Sequence, residues 1–266
     1  MTRIRGVAVV VPARDEEQDI DACLDSVRAA VRRLPREVTT AVTVVLDRCA
    51  DRTPELVERR LAGWAGATSM RVGVVGGRRV AAGSGLTRIV GGAGVGALRD
   101  LGVREALARL QPLDPRVVWL LHTDADTTVP SDWALAHLRH AAHGVVGVAG
   151  MADLATPGRL SVLAARRHEA IVLDGTDGDR HRHVYGANLG VRADAYLGAG
   201  GFPPDGAGED HALWAALRES GRPLRRPTAI RVLTSARTSG RASGGLADLL
   251  RDLHGEELLS DAPPAG

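Results

Sequence analysis

The sequence predicts an α/β fold in which helices cover both faces of a Rossmann-like central sheet. Apolar runs rich in β-branched residues at 7–11 and 38–46 are each followed by acidic residues and then by an amphipathic helix. A third apolar run at 117–121 leads into the acidic segment 122–126, HTDAD. Because open α/β sheets bind ligands at the carboxyl ends of their strands, these acidic strand ends predict the position of a site.

The remaining elements follow from residue spacing and from turn residues. Apolar residues three and four positions apart predict helices, and acidic or Pro-containing starts at 15–17, 54 and 130–132 mark their amino ends. The Gly-rich segment 76–96 predicts a mobile loop. Helices are expected at 20–31, 56–61, 94–107, 133–140, 160–173 and 210–221, and further strands at 70–75, 145–151 and 229–233.

The composition bounds the size of the fold and the kinds of partner. With 266 residues and 44% hydrophobic content, the chain is expected to form a single domain at 1–254 and a disordered tail at 255–266. All 34 basic residues are arginine, which excludes Schiff-base lysines and P-loop lysines. A formal net charge of +2, without a basic block that contains aromatic residues, argues against nucleic acid as a partner.

The cysteines and the apolar runs predict a cytoplasmic protein. Cys23 and Cys49 are expected to be reduced thiols, since nothing marks the chain as secreted. The apolar run near the amino terminus is not followed by a cleavage-like site and is predicted to be the first strand. No run reaches the roughly 18 apolar residues that a bilayer crossing needs, so no integral membrane segment is expected.

Asp124 and Asp126 are candidate ligands for a metal ion. Side chains two residues apart on a strand point the same way, so both carboxylates would approach one cation if the extended geometry continued through Asp126. Oxygen ligands favour Mg²⁺ or Mn²⁺ over zinc. The alternative is a polar turn between a strand and a helix, which is the commoner structure for such a tripeptide alone.

Three further patterns each have a functional and a structural interpretation. His181 and His183 have a spacing that suits a metal site on a strand, but without a third ligand a surface loop is favoured. Glu209 and Asp210 precede an amphipathic helix, where acids also stabilise the helix dipole. Trp214, one turn later, is interpreted as a sugar-stacking residue or as a core residue.

In their order and spacing, these segments resemble the family 2 glycosyltransferases of GT-A fold, from residue 7 to about residue 245. The resemblance implies a GT-A fold with a mixed central sheet, a nucleotide-binding half at about 1–130 and an acceptor half at about 131–254. The motifs that carry it are Pro12-Ala13-Arg14-Asp15-Glu16, Asp47 with Asp51-Arg52-Thr53, the segment 94–99, Asp124-Ala125-Asp126, Gly186-Ala187-Asn188, Gly200-Gly201-Phe202 and Gly208-Glu209-Asp210.

The resemblance also implies roles for individual residues. Asp47 corresponds to the acid that contacts the base or ribose, and Arg99 corresponds to a basic residue near the donor. Positions implied to line the nucleotide pocket are Pro12, Ala13, Arg14 and Glu16. The DXD motif Asp124-Ala125-Asp126 is implied to hold the donor diphosphate through Mg²⁺ or Mn²⁺, with Asp126 as the principal metal ligand.

The implied activity is that of a metal-dependent inverting glycosyltransferase, which moves a sugar from a nucleoside-diphosphate donor to an acceptor hydroxyl. Glu209 and Asp210 correspond to the acidic pair whose aspartate is the catalytic base. The expected donor is UDP- or GDP-linked, whereas the sequence leaves the acceptor and the oligomeric state undefined. The alternatives are a sugar-nucleotide nucleotidyltransferase and a nucleotide-sugar-binding domain without catalysis.

The sequence departs from the usual pattern of the family at the metal site and after the second strand. Leu46-Asp47-Arg48-Cys49 replaces the usual pair of acids with Gly-Ser, which leaves the base preference open. A third metal ligand is not evident near Thr234 and Ser235. Arg237 and Arg241 are expected to be solvated, the alternative being that they neutralise the donor diphosphate.

Overall fold

The computed structural model describes residues 3–72, 94–155, 161–204, 208–237 and 249–253, and the backbone of two short strands at 74–75 and 78–79. Most of the predicted loop at 76–96 lies outside the described residues. Arg241 and the predicted tail at 255–266 also lie outside them.

The described elements alternate between strands and helices along most of the chain, as the sequence predicts. The strands are β1 (Gly6–Ala13), β2 (Thr39–Asp47), β3 (Ala67–Val72), β4 (Val74–Val75), β5 (Arg78–Arg79), β6 (Val118–His122), β7 (Thr127–Thr128), β8 (Gly147–Ala149), β9 (Met151–Ala155), β10 (Thr176–Asp177), β11 (Arg180–His181), β12 (Leu189–Arg192), β13 (Leu224–Arg225) and β14 (Arg231–Ser235). The helices are α1 (Ile20–Arg32), α2 (Thr53–Leu61), α3 (Val95–Arg109), α4 (Trp133–Ala142), α5 (Val162–Asp174), α6 (Ala193–Gly198) and α7 (Glu209–Glu219).

The central sheet is mixed and has the strand order β13-β8-β12-β6-β1-β2-β3. The pairs β6–β1, β1–β2, β2–β3 and β8–β13 are parallel, whereas β12 runs antiparallel to both β6 and β8. The carboxyl ends of β1, β2 and β6 therefore lie side by side along one edge. The predicted mixed α/β sheet with helices on both faces is confirmed.

The alternating side chains of β1 divide the hydrophobic core between the two faces of the sheet. Val7, Val9 and Val11 belong to a buried cluster with residues of α1, α2 and α4. Ala8 and Val10 belong to a second cluster with residues of α3, α6 and α7. All five side chains are fully buried, which explains the continuous apolar run in the sequence.

The prediction of one continuous strand at 145–151 is wrong. The segment divides at Gly150 into β8, which belongs to the central sheet, and β9, which belongs to a three-stranded sheet of order β7-β14-β9. A Cβ atom at Gly150 would lie 2.3 Å from Nδ2 of Asn188 and 2.5 Å from the carbonyl oxygen of Ile230. The backbone can pass from one sheet to the other there because residue 150 has no side chain.

The three-stranded sheet brings the carboxyl-terminal part of the chain to the acidic edge. Strand β14, predicted at 229–233, pairs with β7, which directly follows the acidic motif. The N–H of Ser235 also donates a hydrogen bond to the carbonyl oxygen of Asp126, at 3.2 Å. None of the helices in the described ranges combines the length and the apolar character that a membrane crossing requires.

Candidate active site

The acidic motif after β6 is a turn, as the alternative interpretation of the tripeptide has it, and the extended geometry does not continue through Asp126. Strand β6 ends at His122, and the N–H of Thr127 donates to the carbonyl oxygen of Asp124 at 3.1 Å. The side chains of Asp124 and Asp126 therefore have different partners. Oδ1 of Asp124 lies 2.6 Å from Nη2 of Arg99, whereas Oδ2 of Asp126 lies 3.1 Å from Nη2 of Arg237.

Arg99 joins Asp124 to Glu209 from a buried position in α3. Its side chain is only 2% exposed, and its Nε lies 3.4 Å from Oε1 of Glu209. The guanidinium carbon also lies 5.8 Å from the centre of the Phe202 ring. Burial opposes the charge of Arg99, but the neighbouring acids outweigh it and raise the pKa of Arg99. Burial in turn raises the pKa of Glu209, although Arg99 counteracts this effect.

Arg237 joins Glu16 to Asp126, and its expected solvation is therefore wrong. Its Nη1 and Nη2 atoms lie 2.7 Å and 2.8 Å from the two carboxylate oxygens of Glu16. The side chain of Arg237 is 21% exposed, compared with 6% for Glu16 and 9% for Asp126. Burial lowers the pKa of Arg237, but Glu16 and Asp126 raise it further than burial lowers it.

The carboxyl group of Asp126 is held in an environment that disfavours its charge. Burial, and secondly the charge of Asp124, raise the pKa of Asp126 to about 7, although Arg237 acts in the opposite direction. Its Oδ1 lies 3.5 Å from the hydroxyl oxygens of both Thr127 and Thr234. Thr234 is thus next to the predicted metal ligand.

The residues predicted to line a nucleotide pocket lie together at the ends of β1 and β2. Pro12 and Ala13 are the last residues of β1, and Asp47 is the last residue of β2. Arg14 lies 3.9 Å from Asp47. Arg48 binds Asp47 through two contacts of 2.8 Å, so both oxygens of this buried carboxylate already have a donor.

Asp210 is positioned by backbone N–H groups at the start of α7. Its Oδ2 accepts a hydrogen bond of 2.7 Å from the N–H of Gly186, and its Oδ1 accepts one of 2.8 Å from the N–H of His211. These contacts fix the carboxylate near the residues that surround Arg99. Glu209, its neighbour in sequence, is instead paired with Arg99.

Two glycines allow the elements around Arg99 to approach closely. A Cβ atom at Gly186 would lie 2.6 Å from Nη2 of Arg99, and one at Gly96 would lie 2.2 Å from the carbonyl oxygen of Pro203. Contacts this short exclude a side chain unless the neighbouring atoms move. The glycines of the predicted motifs therefore have a packing function.

Asp124 and Asp126 provide suitable ligands for Mg²⁺ or Mn²⁺. Their oxygen-only donor set fits a hard cation that completes its coordination with water and phosphate oxygens. A separate group, Asp15, Cys49 and Asp51, has candidate ligand atoms within 4.8 Å of one another. There, however, Asp15 accepts from the N–H of Ala50 at 2.6 Å and Asp51 accepts from the N–H of Thr53 at 2.9 Å, which stabilises the loop.

The interpretation of His181 and His183 as part of a surface loop is wrong for His181, which is buried in a short hairpin of β10 and β11. Nε2 of His181 lies 3.1 Å from the carbonyl oxygen of Ala149, and Nε2 of His183 lies 3.2 Å from that of Val172. Among the described residues, no group of three metal-ligating side chains includes either histidine. Trp214 is buried in the second core cluster, which confirms the core interpretation.

Sequence reasoning assigned no role to Asn188, which ties the site to its supporting elements. Its Oδ1 accepts from Nε1 of Trp133 at 2.9 Å and contacts Nε2 of His137 at 3.2 Å. Its Nδ2 donates to the carbonyl oxygens of Met151 and Ile230 at 2.8 Å and 3.1 Å. The motif Gly186-Ala187-Asn188 indicated that Asn188 belongs to the site. Its hydrogen-bond partners, however, lie in distant segments of the sequence.

Comparison with solved structures identifies the architecture. Over 99% of the chain, the structure is similar to the mannosyltransferase PcManGT from Pyrobaculum calidifontis in complex with GDP-Man and Mn²⁺, at a TM-score of 0.60 and 18% identity. It is likewise similar over 99% of the chain to S. aureus TarS 1–349 in complex with UDP-GlcNAc, at 0.63 and 14%.

The chain has the GT-A fold. GalNAc-T7 with UDP, GalNAc and Mn²⁺ also matches, over 91% of the chain, at a TM-score of 0.59 and 15% identity. The chain covers 66% of PcManGT, 68% of TarS 1–349 and 45% of GalNAc-T7. Neither the known protein families nor the curated proteins give a match in sequence. Identities this low establish the fold alone.

Proposed function

We propose that the protein is a glycosyltransferase of the family 2 type, which transfers a sugar from a UDP- or GDP-linked donor to an acceptor hydroxyl with inversion and with the help of Mg²⁺ or Mn²⁺. One observation carries the proposal. The acidic turn at Asp124 and Asp126 follows β6, Asp47 ends β2, and Glu16 lies three residues after the end of β1. Asp210 binds the N–H of Gly186 just before β12, whose first residue pairs with the last residue of β6, so these acids lie at one edge of the central sheet. Such an edge is where open α/β sheets bind ligands.

Asp126 and Asp124 would hold the divalent cation. When bound, the cation would neutralise the negative charge that develops on the donor diphosphate as the sugar leaves. Arg99 keeps the carboxylate of Asp124 in place through its contact of 2.6 Å. The hydroxyl groups of Thr127 and Thr234 stand beside Asp126 and offer further oxygen contacts.

Asp210 is the proposed catalytic base. A carboxylate that removes a proton from an attacking hydroxyl must be held in a fixed orientation near it. The N–H groups of Gly186 and His211 provide that orientation and leave the outer lone pairs of Asp210 available. Glu209 has Arg99 as its partner, and we assign it a positioning function within the proposed acidic pair.

Pro12, Ala13, Arg14, Glu16 and Asp47 are proposed to receive the nucleotide. This places nucleotide binding in the half of the chain at about 1–130 and acceptor binding in the half at about 131–254, within one domain at 1–254. The neighbours with GDP-Man, UDP-GlcNAc and UDP support a UDP- or GDP-linked donor. The cytoplasmic location stays a prediction.

The test separates donor binding from transfer. Binding of UDP- and GDP-linked sugars is measured by calorimetry with Mn²⁺, and turnover is measured as release of UDP or GDP with water as the acceptor. Asp210→Asn should retain donor binding but lower turnover by about 10²–10⁴-fold, because the base is lost. Asp126→Ala should weaken the Mn²⁺-dependent part of donor binding.

The control is Asp177→Asn, which changes an exposed aspartate in the β10–β11 hairpin and should match the parent in both measurements. Failure of the parent to bind any UDP- or GDP-linked sugar would reject the proposal. Equal turnover by the parent and Asp210→Asn would reject the role of Asp210.

A further inference from the structure

The guanidinium of Arg237 lies close to the position that a metal ion bound to Asp126 would occupy. Nη2 of Arg237 is 3.1 Å from Oδ2 of Asp126. Since Mg²⁺ binds carboxylate oxygens at about 2.1 Å, an ion on that oxygen would lie within about 5 Å of Nη2. The site is largely shielded from water, because none of Arg237, Glu16 and Asp126 is more than 21% exposed. Two positive charges this close repel each other strongly there.

We infer that Arg237 competes with the divalent cation for Asp126. When the cation binds, the guanidinium leaves Asp126 and keeps its contacts with Glu16. The inference rests on the proposed function, because it concerns the cation that this function requires. It assigns Glu16 a task beyond lining the nucleotide pocket. Arg237 would thereby determine the affinity of the site for the divalent cation in the absence of donor.

Glu16 is suited to hold the guanidinium alone. Both of its oxygens already contact Arg237, at 2.7 Å and 2.8 Å, so the charge-assisted pair persists when the longer contact to Asp126 is lost. The backbone of Glu16 is anchored by its N–H, which donates to the hydroxyl of Thr53 at 2.7 Å. Arg237 therefore needs only a small movement to release Asp126.

The backbone before Arg237 keeps the arginine at the site in both states. Ser235 donates its N–H to the carbonyl oxygen of Asp126 at 3.2 Å, and β14 pairs with β7 through Thr234 and Thr127. The main-chain contacts to the acidic turn do not involve the guanidinium. Exchange of Arg237 between Asp126 and Glu16 thus leaves the turn intact.

The test uses a double variant, Glu16→Gln with Arg237→Gln, whose net charge equals that of the parent. Mn²⁺ binding is measured without donor at pH 8, from the electron paramagnetic resonance signal of the free ion. Competition predicts a Kd for Mn²⁺ about tenfold lower than in the parent, because Asp126 is released from Arg237. A simple effect of net charge predicts no change.

Two controls test whether the Mn²⁺ that is measured binds at Asp126. Adding Asp126→Asn to the double variant should abolish the tight site. Asp25→Asn with Arg60→Gln removes an ion pair of 2.8 Å between α1 and α2 without a change in net charge, and it should bind Mn²⁺ as the parent does. If the double variant is unfolded by circular dichroism, Arg237→Lys replaces it, because a lysine cannot span both carboxylates and should shift the Kd in the same direction.

An unchanged or higher Kd in a folded variant would overturn the inference. Absence of Mn²⁺ binding by the parent and by every variant would overturn it as well. In that case, donor binding by the parent in the presence of a chelator would show that nucleotide-sugar binding itself stands. Conversely, the expected shift in Kd without binding of any donor would support the competition and reject the proposed function.

Discussion

Two arginines in the candidate site each join two carboxylates, but in opposite settings. Arg99 is itself buried, because Asp124, Glu209 and Phe202 contact a side chain that is 2% exposed. Arg237 lies at the rim, where it is 21% exposed and contacts Glu16 more closely than Asp126. The same side chain therefore serves as a fixed support in one place and as an exchangeable cation in the other.

The two arginines differ in the carboxylates that would lose a partner if the guanidinium moved away. Departure of Arg99 would leave an empty position in the interior and would leave the buried carboxylate of Glu209 without its cation, which is costly, whereas Asp124 is 37% exposed. Departure of Arg237 from Asp126 leaves one carboxyl group, and burial and Asp124 already raise the pKa of Asp126 to about 7. When Asp126 is neutral or bound to a cation, it no longer needs Arg237 to balance its charge. The comparison thus predicts a rigid inner half of the site and an adjustable outer half.

Replacing each arginine in turn should give the largest difference between the two settings. Arg99→Gln should lower the free energy of unfolding by about 3–5 kcal/mol, because it removes a cation that is 2% exposed and leaves the buried Glu209 unpaired. Arg237→Gln should cost less than about 2 kcal/mol, because Arg237 is itself 21% exposed and because Asp126, whose pKa is already raised to about 7, can take up a proton once the guanidinium is gone. Urea unfolding at pH 7 measures both. Equal losses for the two variants would contradict the distinction between a fixed and an exchangeable arginine.

A methyl group placed against Arg99 should show whether this buried side chain can move. Gly186→Ala should cost about 1–3 kcal/mol, because its Cβ would lie 2.6 Å from Nη2 of a side chain that has no room to move. Gly198→Ala is the matched control, since no atom lies within 4 Å of a Cβ there, and it should change stability by less than about 1 kcal/mol. A neutral Gly186→Ala would mean that Arg99 can shift.

The smallest expected effect concerns acid, which should destabilise the fold through a buried histidine. Burial lowers the pKa of His137 to about 4. The unfolded chain therefore binds a proton that the folded chain does not, and stability falls as the pH drops below about 6.5. Between pH 6.5 and pH 5, the parent should lose about 1.5 kcal/mol more than His137→Gln does. The exposed His143→Gln is the control and should follow the parent, whereas equal losses in parent and His137→Gln would refute the assignment.

Much of the fold could be predicted because its signals are local. The apolar run of β1 and the helical spacing of α1 each depend on neighbouring residues, and both elements lie where the sequence places them. The acidic motif was harder, because Asp124-Ala125-Asp126 is compatible with a strand end or with a turn. Only the pairing of the following residues with β14 selects the turn.

The partners of the two arginines could not be predicted from local signals. Arg237 and Glu16 are 221 positions apart, and Arg99 and Glu209 are 110 positions apart, so no spacing rule links them. Solvation was the reasonable expectation for an arginine in a Ser- and Thr-rich segment. The order of the motifs indicated which residues share an edge, but which acid neutralises which base depends on the packing of the whole domain.

Gly150 and Asn188 have a consequence for finding relatives of this protein. A Cβ atom at position 150 would lie 2.3 Å from Nδ2 of Asn188, and a residue without that amide would remove one hydrogen-bond donor from each of the carbonyl oxygens of Met151 and Ile230. A side chain at position 150 therefore requires a change at position 188, and the two positions are coupled in this direction. Such a coupled pair constrains divergence more tightly than an isolated motif does. It offers a marker of common descent where overall identity has fallen to the 14–18% seen with the solved structures.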